Sequence, residues 1–410
     1  MFKNNLFSIR NRFLWISMIF VVSLIFSRFM VSVSMLLLLI IAVLEGRKQS
    51  SLSIVSFIKD KRFASLVLVF IVILLSGFNS SDTQEWLHQV KLKLPFLFLP
   101  FAFYVLKPKE YENHIVIHIL LSIVVTLSGI GVLYNFWNDY EAIQINIGKG
   151  QAVPTPIDHI HYSIIIAYAC VSSFLYLLID HRKVVKSMSA VLSLFLFALL
   201  HILSVRTGIV LSYVGIFIAL SWYIINKKRY LVGIAAVVTL ALLPFIAYKT
   251  VGPFKKKIDY MVWDIKQYQQ GIGNNYSDSE RLMSYKIASA LIKEKPLFGH
   301  GIGDLKPLMI EKNKELYGQK EKYIYPHNQY LYILCTVGIL GSIIFFIGLF
   351  APFIFTNERS IFLIVIFAML ALSCLVENTI QRAVITAFFL FFILLNLTGS
   401  TSRILPDQKD

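Results

Sequence analysis

From residue 12 to residue 398 the chain keeps returning to apolar runs of the length that crosses a bilayer. A spanning helix needs about 20 mainly apolar residues. The candidate runs are 12–27, 29–44, 63–78, 94–106, 114–136, 159–179, 188–205, 207–225, 230–248, 328–350, 360–376 and 383–398. The 94–106 run is the shortest and contains Pro95 and Pro100. Helices are expected because lipid-exposed backbone must satisfy its own hydrogen bonds. A barrel would instead show short segments of alternating hydrophobicity. The expected fold is therefore an all-α polytopic membrane protein with about twelve transmembrane helices. A hydrophobic content of 57% and a mean hydropathy of +0.69 agree, since soluble domains do not sustain such runs. The first run is followed at once by a second and lacks a small-residue cleavage site, so it reads as a span and not a cleaved leader.

The net charge of +16 does not require a nucleic-acid partner. Basic residues of membrane proteins gather in cytoplasmic loops. With the N-terminus inside, the inner segments hold Lys3, Arg10, Arg12, then Arg47, Lys48, Lys59, Lys61, Arg62, and further sets at 107–109, 182–186, 227–229 and 359. The short outer segments hold only Arg28, Lys91, Lys93, Lys149, Arg206 and Arg382. Both termini are thus expected in the cytoplasm. The segment 249–327 is then a large outer loop, and long loops cross largely regardless of charge. The expected divisions are helices one to nine in 1–248, the loop in 249–327, helices ten to twelve in 328–398, and a cytoplasmic tail in 399–410. Cys170, Cys335 and Cys374 lie inside apolar runs and read as packed thiols.

This sidedness sorts the unusual polar residues onto one face. They are His159 and His161 in "DHIHYS", Arg206 in "LSVRTGIV", Arg281 and His327 in the loop, and Glu377, Asn378, Gln381 and Arg382 in "VENTIQRAV". Arg206 has apolar sequence on both sides, and an ionisable group there marks a site by default. Its guanidinium suits a phosphate. Within the loop, Ser277 and Glu280 have capping-box spacing and predict a helix over 278–294. Its expected apolar side is Leu282, Tyr285, Ala288, Ala290 and Ile292. Arg281 falls in its first turn, where the helix dipole disfavours a cation, so a ligand role explains it better than helix stability does. The glycines of "GHGIGD" follow a helix and not a strand, so they read as a tight turn with His300 packed within it. Histidines at i and i+2 point to different sides of a helix, which argues against a metal at His159 and His161. Hydrogen bonding to a headgroup or sugar fits them better.

The blocks "SVRTG", "SDSERLMSYKIASALIKEKPLFGHGIGD", "YPHNQYLYILCTVGILG" and "ENTIQRAVITAFFLFF" together resemble those of the superfamily of O-antigen ligases and Wzy-type polymerases, over about residues 200–395. The resemblance implies a GT-C-like bundle in the bacterial inner membrane with a helical periplasmic loop over the active site. It implies transfer of a glycan from undecaprenyl pyrophosphate to an acceptor hydroxyl, such as lipid A-core, with no metal or other cofactor. Arg206 and Arg281 would hold the pyrophosphate and His327 would serve the acceptor hydroxyl. Asn328, His159, His161 and Arg382 are further candidates for contact with the pyrophosphate or glycan. Two positions depart from the pattern: Thr336 stands where many members carry an acid, and Tyr285 where tryptophan is usual. Polymerase and protein O-oligosaccharyltransferase are alternatives that share these motifs. A secondary transporter is a more distant one, and the chain lacks the paired broken spans of such proteins.

Overall fold

The computed structural model describes residues 9–47, 54–108, 111–271, 277–318, 322–357 and 359–399. Lys3, Lys48, Lys109 and the tail from residue 400 onward lie outside them. Among the described residues the regular structure is helical throughout. The first half contains α1 (Ile9–Phe26), α2 (Arg28–Gly46), α3 (Ile54–Lys59), α4 (Lys61–Ala64), α5 (Leu66–Leu75), α6 (Thr83–Leu106), α7 (Tyr111–Asn138), α8 (Tyr140–Gly148) and α9 (His159–Ile179). The second half contains α10 (Lys183–Leu203), α11 (Arg206–Lys227), α12 (Tyr230–Thr250), α13 (Gly252–Gln269), α14 (Ser277–Glu294), α15 (Leu305–Tyr317), α16 (Gln329–Ile354), α17 (Ile361–Val376) and α18 (Ala383–Thr398). Among the described residues nine helical stretches are long and apolar enough to cross a membrane, one of them Lys61–Asn79 running through α4 and α5, and α1, α17 and α18 are shorter apolar helices.

Burial separates inner from outer helices. α18 is buried from Val384 to Leu397, and α9 from His161 to Ser173. A helix that is apolar all round belongs in the centre of a bundle. α11 approaches α9 closely at Gly208, where a Cβ would lie 2.6 Å from the Ser163 carbonyl oxygen, and at Gly215 against Val171. Small residues permit such close membrane-helix contacts. His118 is satisfied within this centre: its ring bonds the His114 carbonyl and the Tyr168 hydroxyl, which also accepts from Asn396.

Two local expectations change. The short 94–106 run is the second half of α6, a helix of 24 residues that retains Pro95 and Pro100. Its first half, "TQEWLHQVKLK", is too polar to read as a span, but Gln89 and Lys93 are buried against the protein and not exposed to lipid. On α14 the buried face is Ser279, Met283, Ser284, Ile287, Ala288 and Leu291, at helical spacing, whereas Leu282 is exposed. The backbone N–H groups of Asp278 and Ser279 donate to the Asp264 carboxylate of α13. Glu280 pairs with Lys322 instead of closing a capping box.

Helices α13 to α15 pack at the end of the bundle where α10 meets α11 and α17 meets α18. Lys257 donates to the Gly150 carbonyl, and Ser81 and Asp82 donate backbone N–H to Asp304 at 2.8–2.9 Å. The predicted turn in "PLFGHGIGD" holds the loop to the bundle. α16 breaks at Gly338, which has φ 67° and ψ −171°. The turn enters the break: His300 N–H donates to the Cys335 carbonyl at 2.9 Å and Gly301 N–H to that of Thr336 at 2.8 Å. In return Ile339 N–H donates to the Pro296 carbonyl at 2.8 Å. Irregular backbone is tolerated at such a place only when protein satisfies it. Thr336 bonds carbonyls of its own helix, at Tyr332 and Ile333. The turn, not an acid at position 336, therefore braces this helix. His300 is buried and its Nε2 lies 2.9 Å from the Leu291 carbonyl, which is a packed role.

Candidate active site

Arg206 begins α11 two residues after Ser204, a left-handed residue with φ 56° that ends α10, with Val205 between them. The reversal leaves the guanidinium at the bundle end, where Nη2 lies 2.7 Å from Asp278 Oδ1. Arg281 stands one helical turn further along α14, and no described carboxylate lies within ion-pairing distance of it. Arg206, Arg281, His159 and Lys257 line one cavity of about 340 Å³. Burial, with Arg206 and Arg281 nearby, pushes the Lys257 ammonium down to about 8. Asp278 opposes that shift. Three cationic side chains facing one cavity favour an anionic guest, since like charges gathered in a partly buried site repel until an anion joins them. Among the described residues, no three or more His, Cys, Asp or Glu side chains are grouped as metal ligands.

His327 stands beside this cavity. Its Nδ1 lies 3.3 Å from Glu377 Oε2, with the histidine half-buried and the carboxylate nearly buried. Burial works against the ionised form of Glu377, but the hydrogen bond and charge of His327 hold its pKa below the ordinary carboxylate value. An ionised carboxylate only accepts. In the neutral imidazole Nδ1 then carries the proton toward Glu377, and Nε2 is left as the acceptor. The backbone is also held: the Tyr285 hydroxyl donates to the His327 carbonyl at 3.1 Å. Asn328 caps α16 by accepting from Leu331 N–H, and its amide donates to the Leu375 carbonyl. Asn328 thus spends its amide inside the protein.

Asp158 caps α9 and lies 3.5 Å from His161 Nδ1, while His161 is buried. His159 reaches the cavity and His161 does not line it. Arg382 is exposed over the Tyr325 ring, outside that cavity. Arg206, Arg281, His159 and His327 are thus brought together as a group, and Lys257, Glu377 and Tyr285 join them. The sequence places Glu377 among the outer polar residues but offers no partner for it. Lys257 gave no signal, being one of three consecutive lysines in "PFKKKID".

Fold and site define a polytopic membrane protein with a cationic cavity beside a His–Glu pair at one end of its bundle. Residues 188–346 match the family model described as O-antigen ligase, which supports the superfamily of O-antigen ligases and Wzy-type polymerases, a set of membrane glycan-processing enzymes. The match contains Arg206, Lys257, Arg281 and His327, whereas Glu377 and Arg382 lie beyond it. A comparison with curated proteins finds no match.

Proposed function

We propose that the protein is an O-antigen ligase-type glycosyltransferase. It moves a glycan from undecaprenyl pyrophosphate to an acceptor hydroxyl, with lipid A-core as the acceptor. In this reading the chain crosses the bacterial inner membrane twelve times in a GT-C-like arrangement, both termini are cytoplasmic and the site faces the periplasm. The observation that carries the reading is the cavity shared by Arg206, Lys257 and Arg281 next to the His327–Glu377 pair. An apolar groove of about 390 Å³ between α9, α10, α11 and α12, lined by Phe174, Leu194, Phe197 and Leu240 among others, supports a lipid-linked donor. α10 and α11 border both the groove and the cationic cavity.

The chemistry follows from the residues. The acceptor oxygen attacks the anomeric carbon as its proton passes to His327 Nε2. The bond from that carbon to the pyrophosphate oxygen breaks, and its electron pair leaves with the pyrophosphate. Attack from the face opposite the leaving group inverts the anomeric centre. Negative charge growing on the leaving group meets arginines already in place, so little reorganisation is needed during the reaction. Histidine suits the proton transfer because it titrates near neutral pH.

Arg206→Ala and Arg281→Ala should each lower transfer by about 10²–10³-fold, the usual effect of removing one preorganised donor. Product should be scored in a deletion strain expressing each variant at wild-type membrane level. Wild-type product from either variant would sink the assignment. In the same strain, gels separate the related activities: core lacking polymer, with polymer left on the carrier, marks a ligase, and single-repeat caps mark a polymerase.

Lys257 predicts a pH dependence. Its pKa in the free protein is near 8, so it is charged below that pH and increasingly neutral above it. A bound pyrophosphate favours the charged form. Affinity for the donor should therefore fall as pH rises through 8, with proton uptake on binding. Lys257→Met should weaken binding at pH 7 and flatten this profile. Titration of purified protein with polyprenyl pyrophosphate at pH 7 and pH 9 measures both, and an unchanged profile in the variant rules out a role for Lys257 at the phosphate.

A further inference from the structure

A second polar group lies on the other flank of His327 and takes no part in the phosphate cavity. It begins on α6, where Glu85, Gln89 and Lys93 are spaced by four and share one helix face. Gln89 Nε2 donates to Glu85 Oε1 at 2.7 Å, and the Lys93 ammonium, 0% exposed, donates to Gln381 Oε1 at 3.0 Å. A lysine buried within a membrane helix is costly and marks function by default. Around it several amides have unused capacity. Gln381 Nε2, Gln89 Oε1 and both side-chain polar atoms of Asn378 are buried without a hydrogen-bond partner among the described residues. Buried polar groups are ordinarily bonded, so such a cluster calls for water or ligand hydroxyls.

Aromatic side chains complete the group. The Tyr323 and Tyr325 rings meet edge to face at 5.5 Å, and Tyr325 stacks on Tyr332 at 5.6 Å. The Arg382 guanidinium lies 6.0 Å from the Tyr325 ring centre and remains exposed. Arg382 follows Gln381 directly, so the bond from Lys93 fixes the turn that presents it. The same turn is tied to α16 by Ile380 N–H, which donates to Gln329 Oε1 at 2.9 Å. Burial and the nearby Glu85 carboxylate raise the phenol pKa of Tyr323 and Tyr325, which places Glu85 within electrostatic reach of both. Tyr325 also feels Glu377, the partner of His327 two residues on. None of Glu85, Tyr323, Tyr325 and Arg382 lines the cavity of Arg206 and Arg281.

We propose that Glu85, Tyr323, Tyr325 and Arg382 form a subsite for a sugar ring of the acceptor, beside His327 and separate from the donor's phosphate cavity. The proposal rests on the transfer reading given above. A sugar ring has a C–H face that packs on an aromatic face, and an edge of hydroxyls. A carboxylate accepts hydrogen bonds from two neighbouring hydroxyls and a guanidinium donates to ring substituents, so the two groups suit a sugar's polar edge. Packing alone would not need a carboxylate, an exposed arginine and a buried ammonium at one place.

Binding is tested without the donor. The probes are the oligosaccharide released from the cell's own lipopolysaccharide and the repeat-unit oligosaccharide released from the carrier, each titrated into purified full-length protein by saturation-transfer NMR. One of the two should bind the wild type, and which one binds distinguishes the two acceptor sources. Glu85→Gln and Arg382→Gln should each weaken that binding at least tenfold with an unchanged melting temperature. Tyr325→Phe, which keeps the ring, should retain most of it. Arg206→Ala should bind the probe as the wild type does. The proposal is overturned if neither probe binds, if binding survives in Glu85→Gln and Arg382→Gln, or if Arg206→Ala abolishes it. Failure of the transfer reading shows separately, as product formation that persists in Arg206→Ala and Arg281→Ala.

Discussion

His327→Ala is expected to lower the transfer rate by about 10²–10⁴-fold, the range for losing a positioned general base, while donor affinity stays near the wild-type value. The asymmetry follows from geometry. His327 is held by Glu377 at Nδ1 and by Tyr285 at its carbonyl, and the cavity that would take the phosphates is lined by other residues. Removing the imidazole leaves those cations in place. Glu377→Gln should give a smaller fall, because the amide preserves volume and loses only the charge that stabilises the imidazolium. Single-turnover kinetics with a labelled donor, run beside a donor-binding titration, separate the two effects. Loss of donor binding in His327→Ala would move this histidine to the phosphates and refute its role as base. A wild-type rate would remove it from the reaction altogether.

Gly338→Ala should be among the most damaging single methyl groups that could be added to the described chain. At φ 67° and ψ −171°, a region that essentially only glycine occupies, an alanine is strained by about 1–3 kcal/mol. The added Cβ would also lie 2.3–2.5 Å from the Leu297 carbonyl and the Phe298 nitrogen, which are backbone atoms. They move only if the turn leaves the gap in α16. That exit strips the N–H groups of His300, Gly301 and Ile339 of their partners, and each buried orphan costs about 1–3 kcal/mol. Little folded protein should reach the membrane, and none of it should be active. Gly318→Ala is the control: its φ is 64° with nothing within 4 Å, so it carries the backbone strain alone. Detergent-solubilised yield and melting temperature compare the two. Equal losses would show that the turn does not secure the loop.

The apolar runs announced the spanning helices because lipid leaves a chain no other way to satisfy its backbone. The first half of α6 is not legible in this way, because hydropathy cannot tell a polar helix in water from one whose polar face is turned into protein. Arg206 was legible from the cost of a charge amid apolar residues. Its neighbour Lys257 was not, because in a run of three lysines only the phase of α13 selects the one that faces inward. His327 was legible through its block, but its pairing with Glu377 depends on α17 returning to the same end of the bundle. The start of α14 shows the same limit. A local box was on offer, and Asp264 on a different helix supplies the cap.

The turn that enters α16 also faces outward. Leu297 and Phe298 are 54% and 69% exposed, and they sit beside Gly338, about 14 Å along α16 from its first residue. In the proposed membrane arrangement two large apolar side chains at that depth would lie among acyl chains and moor the loop helices to the lipid as well as to the bundle. In the proposed reaction His327 would then work at a fixed elevation above the hydrocarbon. On that reading a hydroxyl carried on a lipid anchor would react only if its own stalk brought it to that height. Elevation becomes a way of choosing among chemically similar hydroxyls, measured from the bilayer by a two-residue keel.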